Sequence, residues 1–93
     1  MKPCVYILTN DNHSVLYVGV TSDLKQRVDE HLSDVGCVFS RHYNLHKVVY
    51  IEYLPTMMAA ITREKQIKSW NRARKIDLIN SLNPSWRNLM TDM

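Results

Sequence analysis

A glutamate in the second half of the chain falls at a position where a charge is costly. Apolar residues spaced three and four apart define one face of a predicted helix, and Glu64 lies in the middle of that face. Burying a carboxylate without a partner costs several kcal/mol, so something must compensate for its charge. A salt bridge to Lys68 or Arg27 is one explanation, and a divalent cation or a place beside a phosphate group is the other. The apolar residues of this face are Met57, Ala60, Ile61 and Ile67.

Two tyrosines, an arginine and a histidine could complete a site around that carboxylate. Two β-rich runs flank residues 10–13, and a turn centred between positions 11 and 12 would place Tyr6 directly opposite Tyr17 on one face of a hairpin. Arg27 and His31 lie one turn apart along the edge of the next helix's apolar stripe. With a cation on the carboxylate, such groups can neutralise a phosphodiester, hold its phosphate and accept a proton from water. These residue types are typical of a nuclease.

The elements that must position these residues are predicted in the order β-β-α-β-α-α. The third strand carries apolar side chains on both faces, which favours a central position in the sheet. Gly19 permits either a sharp turn or the close approach of another group to the backbone. The candidate residues meet only if the first two helices pack on the face that shows Tyr6 and Tyr17. The predicted strands are 5–9, 15–20 and 47–54, the predicted helices are 23–34, 56–70 and 74–82, and the tail with Trp86 is expected to cover apolar surface.

Charge is concentrated in the second half of the chain. The formal net charge is +3, and residues 56–93 hold seven basic residues against three acidic ones. Six of these basic residues fall between Arg63 and Lys75, with Glu64 as the only acid among them. Such a run suits a phosphate backbone, but a solvated helix face would look the same. The residues expected to contact nucleic acid are Lys65, Lys68, Asn71, Arg72, Arg74 and Lys75.

Length and composition set the limits of the prediction. With 93 residues, of which 45% are hydrophobic and 23% charged, we expect one globular domain spanning 1–93. Its apolar runs are shorter than the ~18 residues of a membrane span, and no secretory signal is visible, so we expect a cytoplasmic protein without membrane association. A zinc site of Cys37, His42 and His46 is disfavoured because it lacks a fourth ligand.

Five segments together resemble the GIY-YIG endonuclease superfamily, and specifically its small, stand-alone, largely uncharacterised bacterial branch. CVYIL and YVGV stand where the two namesake motifs belong, and the gap between Tyr6 and Tyr17 suits the family hairpin. TSDLKQRVDEH is similar to the third motif, with Arg27 and His31 in the catalytic positions. REKQIKSWNRARK resembles the branch's characteristic helix, which puts Glu64 at the metal-binding position, and NPSWRNL resembles the closing segment.

This resemblance implies an α+β fold, a three-stranded antiparallel sheet flanked by helices, and Mg²⁺- or Mn²⁺-dependent hydrolysis of DNA phosphodiester bonds. Tyr6 would be the general base or would position the water, with Tyr17 and His31 assisting and His31 competing for the role of base. Arg27 would stabilise the charge of the transition state, and Glu64 would be the sole protein ligand of the metal. A free tyrosine has a pKa of about 10, so the base role needs a nearby cation to lower it.

The sequence departs from the family pattern in two respects. Val5 and Val18 replace family residues in the two namesake motifs, and both are suitable strand residues. The family's late asparagine has four candidates, of which Asn71 is favoured because it shares the helix side of Glu64; the others are Asn80, Asn83 and Asn88.

No segment is expected to serve as a separate recognition domain, so sequence specificity would be poor or supplied by a partner protein. Structured DNA in repair or processing is the expected substrate. The alternatives are a catalytically weak or inactive nucleic-acid-binding module and a small protein whose basic helix docks on an acidic partner.

Overall fold

A computed structural model describes residues 2–32 and 45–92, with the side chains of 30–32 and 91–92 left aside. The described residues form an α+β fold with the predicted order of strands and helices. The strands are β1 (Cys4–Thr9), β2 (Leu16–Thr21) and β3 (Lys47–Tyr53); the helices are α1 (Leu24–Leu32), α2 (Met57–Ser69) and α3 (Arg72–Leu82), followed by a 3₁₀ helix, Leu89–Asp92. No helix in this part of the chain is long and apolar enough to cross a membrane.

The sheet is antiparallel with the order β2-β1-β3, so the prediction that the third strand is central is wrong. The apolar strand β3 lies at an edge that the C-terminal segment covers. Asn88 Oδ1 accepts a hydrogen bond from the backbone N–H of Val48 at 3.1 Å, and Asn83 Nδ2 donates to the carbonyl of Val49 at 3.1 Å. These amides satisfy backbone groups that an edge strand would otherwise leave unpaired.

The hairpin register differs from the prediction by two residues. Tyr6 faces Gly19, and Tyr17 faces Leu8, because the turn is longer than expected and β2 begins only at Leu16. The Asn10 side chain closes this longer turn, since its Oδ1 accepts hydrogen bonds from the N–H groups of Ser14 (2.9 Å) and Val15 (3.2 Å). A shift of two residues keeps every side chain on its face, so both tyrosines remain on one side of the sheet.

The two helices expected on the tyrosine face lie on opposite faces of the sheet, which corrects that prediction. Leu24 and Val28 of α1 pack in the cluster that contains Tyr6. Ala60 and Ile67 of α2 pack in the other cluster, together with α3 and the inward residues of β2. The physical reason is the central strand β1, which is buried at all six positions and therefore needs cover on both sides.

Polar side chains fix the ends of the last two helices. Thr56 Oγ1 accepts from the N–H of Ala59 at 3.1 Å, so α2 begins where Pro55-Thr56 predicted. Asn71 Oδ1 accepts from the N–H of Arg74 at 2.9 Å, and this cap starts α3 two residues earlier than predicted. Trp86 packs against the α2–α3 cluster, which confirms that the tail covers apolar surface. The predicted end of α1, at residue 34, lies outside the described residues.

Candidate active site

The Tyr6 ring lies directly over Gly19 of the neighbouring strand. A Cβ atom at position 19 would stand 2.4 Å from both Cζ and Oη of Tyr6, far inside any normal contact. Tyr6 is only 1% exposed, so its ring has little room to move elsewhere. The sequence left two uses open for Gly19, a sharp turn or the close approach of another group to the backbone. The structure shows the second, because the Tyr6 ring rests against the backbone of Gly19, and we call this contact the seat of Tyr6.

Arg27 of α1 reaches this phenol. Its Nε donates a long hydrogen bond of 3.4 Å to Tyr6 Oη. The helix directs Arg27 there because its neighbours on the wheel, Leu24 and Val28, are buried against the tyrosine face and leave Arg27 half-buried at the edge of that contact. Tyr17 completes the group, with its ring 6.5 Å from that of Tyr6 and tilted by 39°. Tyr6, Tyr17 and Arg27 are therefore brought together as the sequence indicated.

Burial controls the protonation of the central phenol. Loss of solvent raises the pKa of Tyr6 to about 12, and the hydrogen bond from Arg27 opposes this only in part. Near neutral pH the phenol is consequently protonated, and it can donate a hydrogen bond while it accepts one from Arg27.

An open cleft adjoins Arg27. Its volume is about 340 Å³, and it lies where α1 and the beginning of α2 approach the end of β2. Arg27 and Met57 line it from the two helices, so residues from opposite faces of the sheet meet around the strand end. Its other lining residues are Val20, Thr21, Ser22, Asp23 and Gln26. Sequence reasoning missed these residues as parts of a site, because a Thr-Ser-Asp segment before a helix is fully explained by capping, and Asp23 Oδ1 does accept from the N–H of Gln26 at 3.2 Å.

Glu64 is largely buried on α2, as its place on the helix wheel predicted. Its side chain is 14% exposed, and Oε2 lies 3.0 Å from Nζ of Lys68, whose side chain is 53% exposed. One of the two partners considered from the sequence is therefore observed, and it is Lys68. Glu64 belongs to α2, which packs on the face of the sheet opposite Tyr6, and it is not among the residues that line the cleft.

A single carboxylate of this kind fits a hard divalent cation. Mg²⁺ is commonly held by one or two carboxylates, with water and substrate phosphate oxygens as its remaining ligands. Within residues 2–32 and 45–92, no three His, Cys, Asp or Glu side chains form a cluster that could hold a metal ion. Glu64 offers the right donor atom, and any cation on it would depend on ligands from water and substrate.

Several predicted residues lie at or beyond the limits of the described chain. The backbone of His31 belongs to α1, but its side chain is outside the described part, as are Cys37 and His42. His46, the remaining member of the disfavoured zinc set, has Nε2 2.9 Å from Oδ1 of Asp11. The ring of His46 therefore contacts Asp11, a carboxylate of the hairpin turn.

The basic segment is partly committed to holding the fold. The Arg72 guanidinium donates to the carbonyls of His13 and Ser14, which ties α3 to the hairpin turn. Arg74 lies over the ring of Trp70 at 4.1 Å. The side chains of this segment nevertheless face water: Lys65, Lys68, Asn71, Arg72 and Arg74 are exposed, and Lys75 is half-buried.

Each of the four candidate asparagines has a structural contact. Asn71 caps α3, and Asn80 Oδ1 accepts from Nε1 of Trp86 at 2.6 Å. Asn83 is buried and Asn88 half-buried, and both bind the edge of β3 as described above. Which of these asparagines completes the site therefore stays a prediction, and Asn71 is the one whose Oδ1 caps α3.

Comparison with known proteins gives a consistent result. The model of the GIY-YIG catalytic domain matches residues 2–77. A UPF0213 protein of Haloquadratum walsbyi is 38% identical over 74 residues, covering 80% of this chain and 82% of the relative. A UPF0213 protein of Clostridium perfringens is 36% identical over 77 residues, covering 83% and 82%. The solution NMR structure of a UPF0213 protein from Bacillus halodurans is similar with a TM-score of 0.61 and 26% identity, over 98% of this chain and 96% of that one.

Proposed function

Because this chain belongs to the GIY-YIG family, whose catalytic domain points to nuclease activity on nucleic acid, we propose that it is a divalent-metal-dependent endonuclease that hydrolyses DNA phosphodiester bonds. The observation that supports this most strongly is the buried Tyr6 phenol, seated on Gly19 and bound by Arg27 at the border of a cleft. We take the whole chain, 1–93, as one domain with this activity.

Arg27 is the phosphate-binding residue in this proposal. Its guanidinium is permanently charged and carries five N–H donors in a planar fork, which suits two hydrogen bonds to one phosphate. Its contact with Tyr6 fixes the orientation of the fork, and its place in the cleft wall makes it accessible to a substrate. Charge that develops on the phosphoryl oxygens in the transition state would be stabilised there.

Tyr6 positions the reacting groups through its hydroxyl. Since its pKa is raised to about 12, it holds its proton near neutral pH and can donate to a water molecule or a phosphate oxygen. The role of general base then falls to His31 or Tyr17, unless a bound cation lowers the pKa of Tyr6. This distinction matters because a positioning hydroxyl and a proton acceptor respond differently to pH.

Glu64 would hold the divalent cation, Mg²⁺ or Mn²⁺, through its carboxylate. Such an ion supplies charge neutralisation at the phosphoryl oxygens and makes a bound water more acidic. The contribution of the protein is a carboxylate that α2 keeps only 14% exposed.

The exposed basic residues of α2 and α3 would bind the phosphates that flank the scissile bond. Their contacts would be to the backbone and independent of base sequence. We therefore propose a substrate recognised by shape, such as flapped, nicked or single-stranded DNA in repair or processing, or a partner protein that supplies specificity. The exposed basic residues are Lys65, Lys68, Arg72 and Arg74, and we include with them the half-buried Lys75 and the exposed cap residue Asn71.

A nucleic-acid-binding module with weak or no turnover is the second candidate. The ion pair between Glu64 and Lys68 favours it, because the carboxylate already has a cationic partner. Such a module would bind without metal, its affinity would fall steeply with salt, and substitution of Glu64 would change little.

A cleavage panel separates the two candidates. The purified chain is incubated with nicked, flapped and single-stranded DNA, with Mg²⁺, Mn²⁺ or a chelator, beside Glu64→Gln and the control Asp77→Asn, which alters an exposed carboxylate of α3. We expect metal-dependent cleavage that Glu64→Gln reduces by at least about 10²-fold and Asp77→Asn leaves unchanged. Equal activity of Glu64→Gln and the unmodified chain would refute the proposed role of Glu64.

A further inference from the structure

The ion pair between Glu64 and Lys68 is unequal in its burial. The carboxylate is 14% exposed, whereas the lysine side chain is 53% exposed, and 3.0 Å separates Oε2 from Nζ. A carboxylate in such a place needs a positive partner, but a lysine head in water gains little from the contact and can leave it. The buried carboxylate of Glu64 therefore requires a positive partner, whereas the exposed ammonium of Lys68 can be replaced by another cation.

This inference rests on the proposed function. We propose that Lys68 is a built-in competitor for the cation on Glu64: its ammonium occupies the carboxylate in the metal-free protein and must move away when a divalent ion binds. Lys68 thereby lowers the affinity of the site for the metal and keeps the carboxylate paired while the site is empty. It determines affinity and is not itself a ligand.

A neighbouring ion pair, between α2 and β3, shows why Lys68 is suited to this exchange. Arg63 Nε lies 3.2 Å from both carboxylate oxygens of Glu52, and the two side chains are 26% and 27% exposed, so both partners are held. Lys68 has a flexible four-carbon stem and a single contact point, at the more exposed end of its pair. Release of its head into water restores full hydration, and the helix need not move.

Direct metal binding tests the proposal. The free Mn²⁺ concentration is followed by electron paramagnetic resonance during titration of the full chain with Mn²⁺ alone, without DNA. Four variants are compared: Lys68→Met, Lys68→Arg, Lys65→Met and Glu64→Gln. Lys65→Met is the matched control, because this substitution removes an exposed positive charge one residue from Glu64.

We expect Lys68→Met to bind Mn²⁺ about three- to tenfold more tightly than the unmodified chain, and Lys65→Met to change affinity by less than about twofold. Lys68→Arg keeps the competing charge and should stay within about twofold. Equal gains in Lys68→Met and Lys65→Met would overturn the proposal, since only general electrostatics would then be at work. No gain in either variant would also overturn it, because Lys68 would then not compete with the metal.

Glu64→Gln distinguishes this failure from failure of the proposed function. If it abolishes Mn²⁺ binding while Lys68→Met has no effect, the competitor is refuted and the metal site stands. If Glu64→Gln binds Mn²⁺ as the unmodified chain does, Glu64 is not the ligand and both proposals fall. As a second readout, the Nζ resonance of Lys68 in the unmodified chain should shift on addition of Mg²⁺; a resonance that stays unchanged at saturation would contradict its displacement.

Discussion

The substitution Gly19→Ala tests the seat of Tyr6. The new methyl carbon would lie 2.4 Å from Cζ and Oη of the ring, whereas ordinary contacts begin at 3.4 Å, so the phenol must retreat by about 1 Å. The ring is 1% exposed and packed between strand and helix, and overpacking of this kind costs about 1–3 kcal/mol. For a domain of this size the melting temperature should fall by about 4–24 °C.

The same displacement predicts a loss of activity. A shift of about 1 Å in a group that positions a substrate can reduce the rate by about 10²-fold, and the 3.4 Å contact with Arg27 is already near its limit. Thermal unfolding gives the stability, and single-turnover cleavage of the best DNA substrate gives the rate. Val18→Ala in the same strand serves as a control, because Val18 packs in the cluster on the opposite face and does not line the cleft.

A double-mutant cycle identifies the cause. In a Tyr6→Leu background the ring atoms that meet the new methyl group are gone, so Gly19→Ala should cost at least about 1 kcal/mol less than in the unmodified chain. Equal costs in the two backgrounds would mean that the glycine serves backbone conformation and that the phenol is not seated on it.

Three further outcomes follow from the contacts. Arg27→Ala should reduce cleavage by about 10²-fold or more and leave cooperative unfolding intact, because its bond to Tyr6 contributes at most about 1 kcal/mol; loss of cooperativity in urea would show a structural arginine. Asn83→Ala should lower the free energy of unfolding in urea by about 2–3 kcal/mol, because this buried amide bonds to Val49 and Arg87. The cleavage rate per folded molecule should stay unchanged, and a slower rate would mean that the closing segment belongs to the site. Burial raises the pKa of Tyr6 and of Tyr50 to about 12, so the folded chain keeps protons that the unfolded chain releases near pH 10. The stability that these two phenols contribute should be constant below that pH and fall between about pH 10 and 12, less so in Tyr50→Phe; a flat urea midpoint across this range would contradict the shifts.

Local signals were sufficient for much of this fold. Alternation and turn residues located all three strands, and Thr56 fixed the start of α2, because these features depend on neighbours in the chain. The hairpin register was harder to predict from the sequence. The predicted register differs from the observed one by two residues because the Asn10 side chain closes a longer turn, and hydrophobic periodicity does not reveal the length of a turn. Because the register differs by an even number of residues, Tyr6 and Tyr17 still lie on one face of the sheet, as predicted.

Non-local arrangement could not be derived in the same way. The apolar pattern of β3 indicates a strand that is buried on both faces. It does not reveal that the side-chain amides of Asn83 and Asn88, instead of another strand, bond to backbone groups at its outer edge. Likewise, the stripe of α2 shows that it packs on the sheet but not on which face. Tyr6, Tyr17 and Arg27 lie together on one face of the sheet, as predicted. Glu64 belongs to α2, which packs on the opposite face, and Met57 is the residue of α2 that lines the cleft at the end of β2.

The position of a bound cation relative to the substrate phosphate tests the account most directly. Crystals of the chain with Mn²⁺ and a phosphorothioate oligonucleotide that resists cleavage would give an anomalous signal for the metal. We predict one Mn²⁺ coordinated by a Glu64 carboxylate oxygen, with Lys68 turned away and the Arg27 guanidinium hydrogen-bonded to the phosphate that the metal also touches. A metal bound elsewhere, with Glu64 still paired to Lys68 and the phosphate remote from Arg27, would contradict the account.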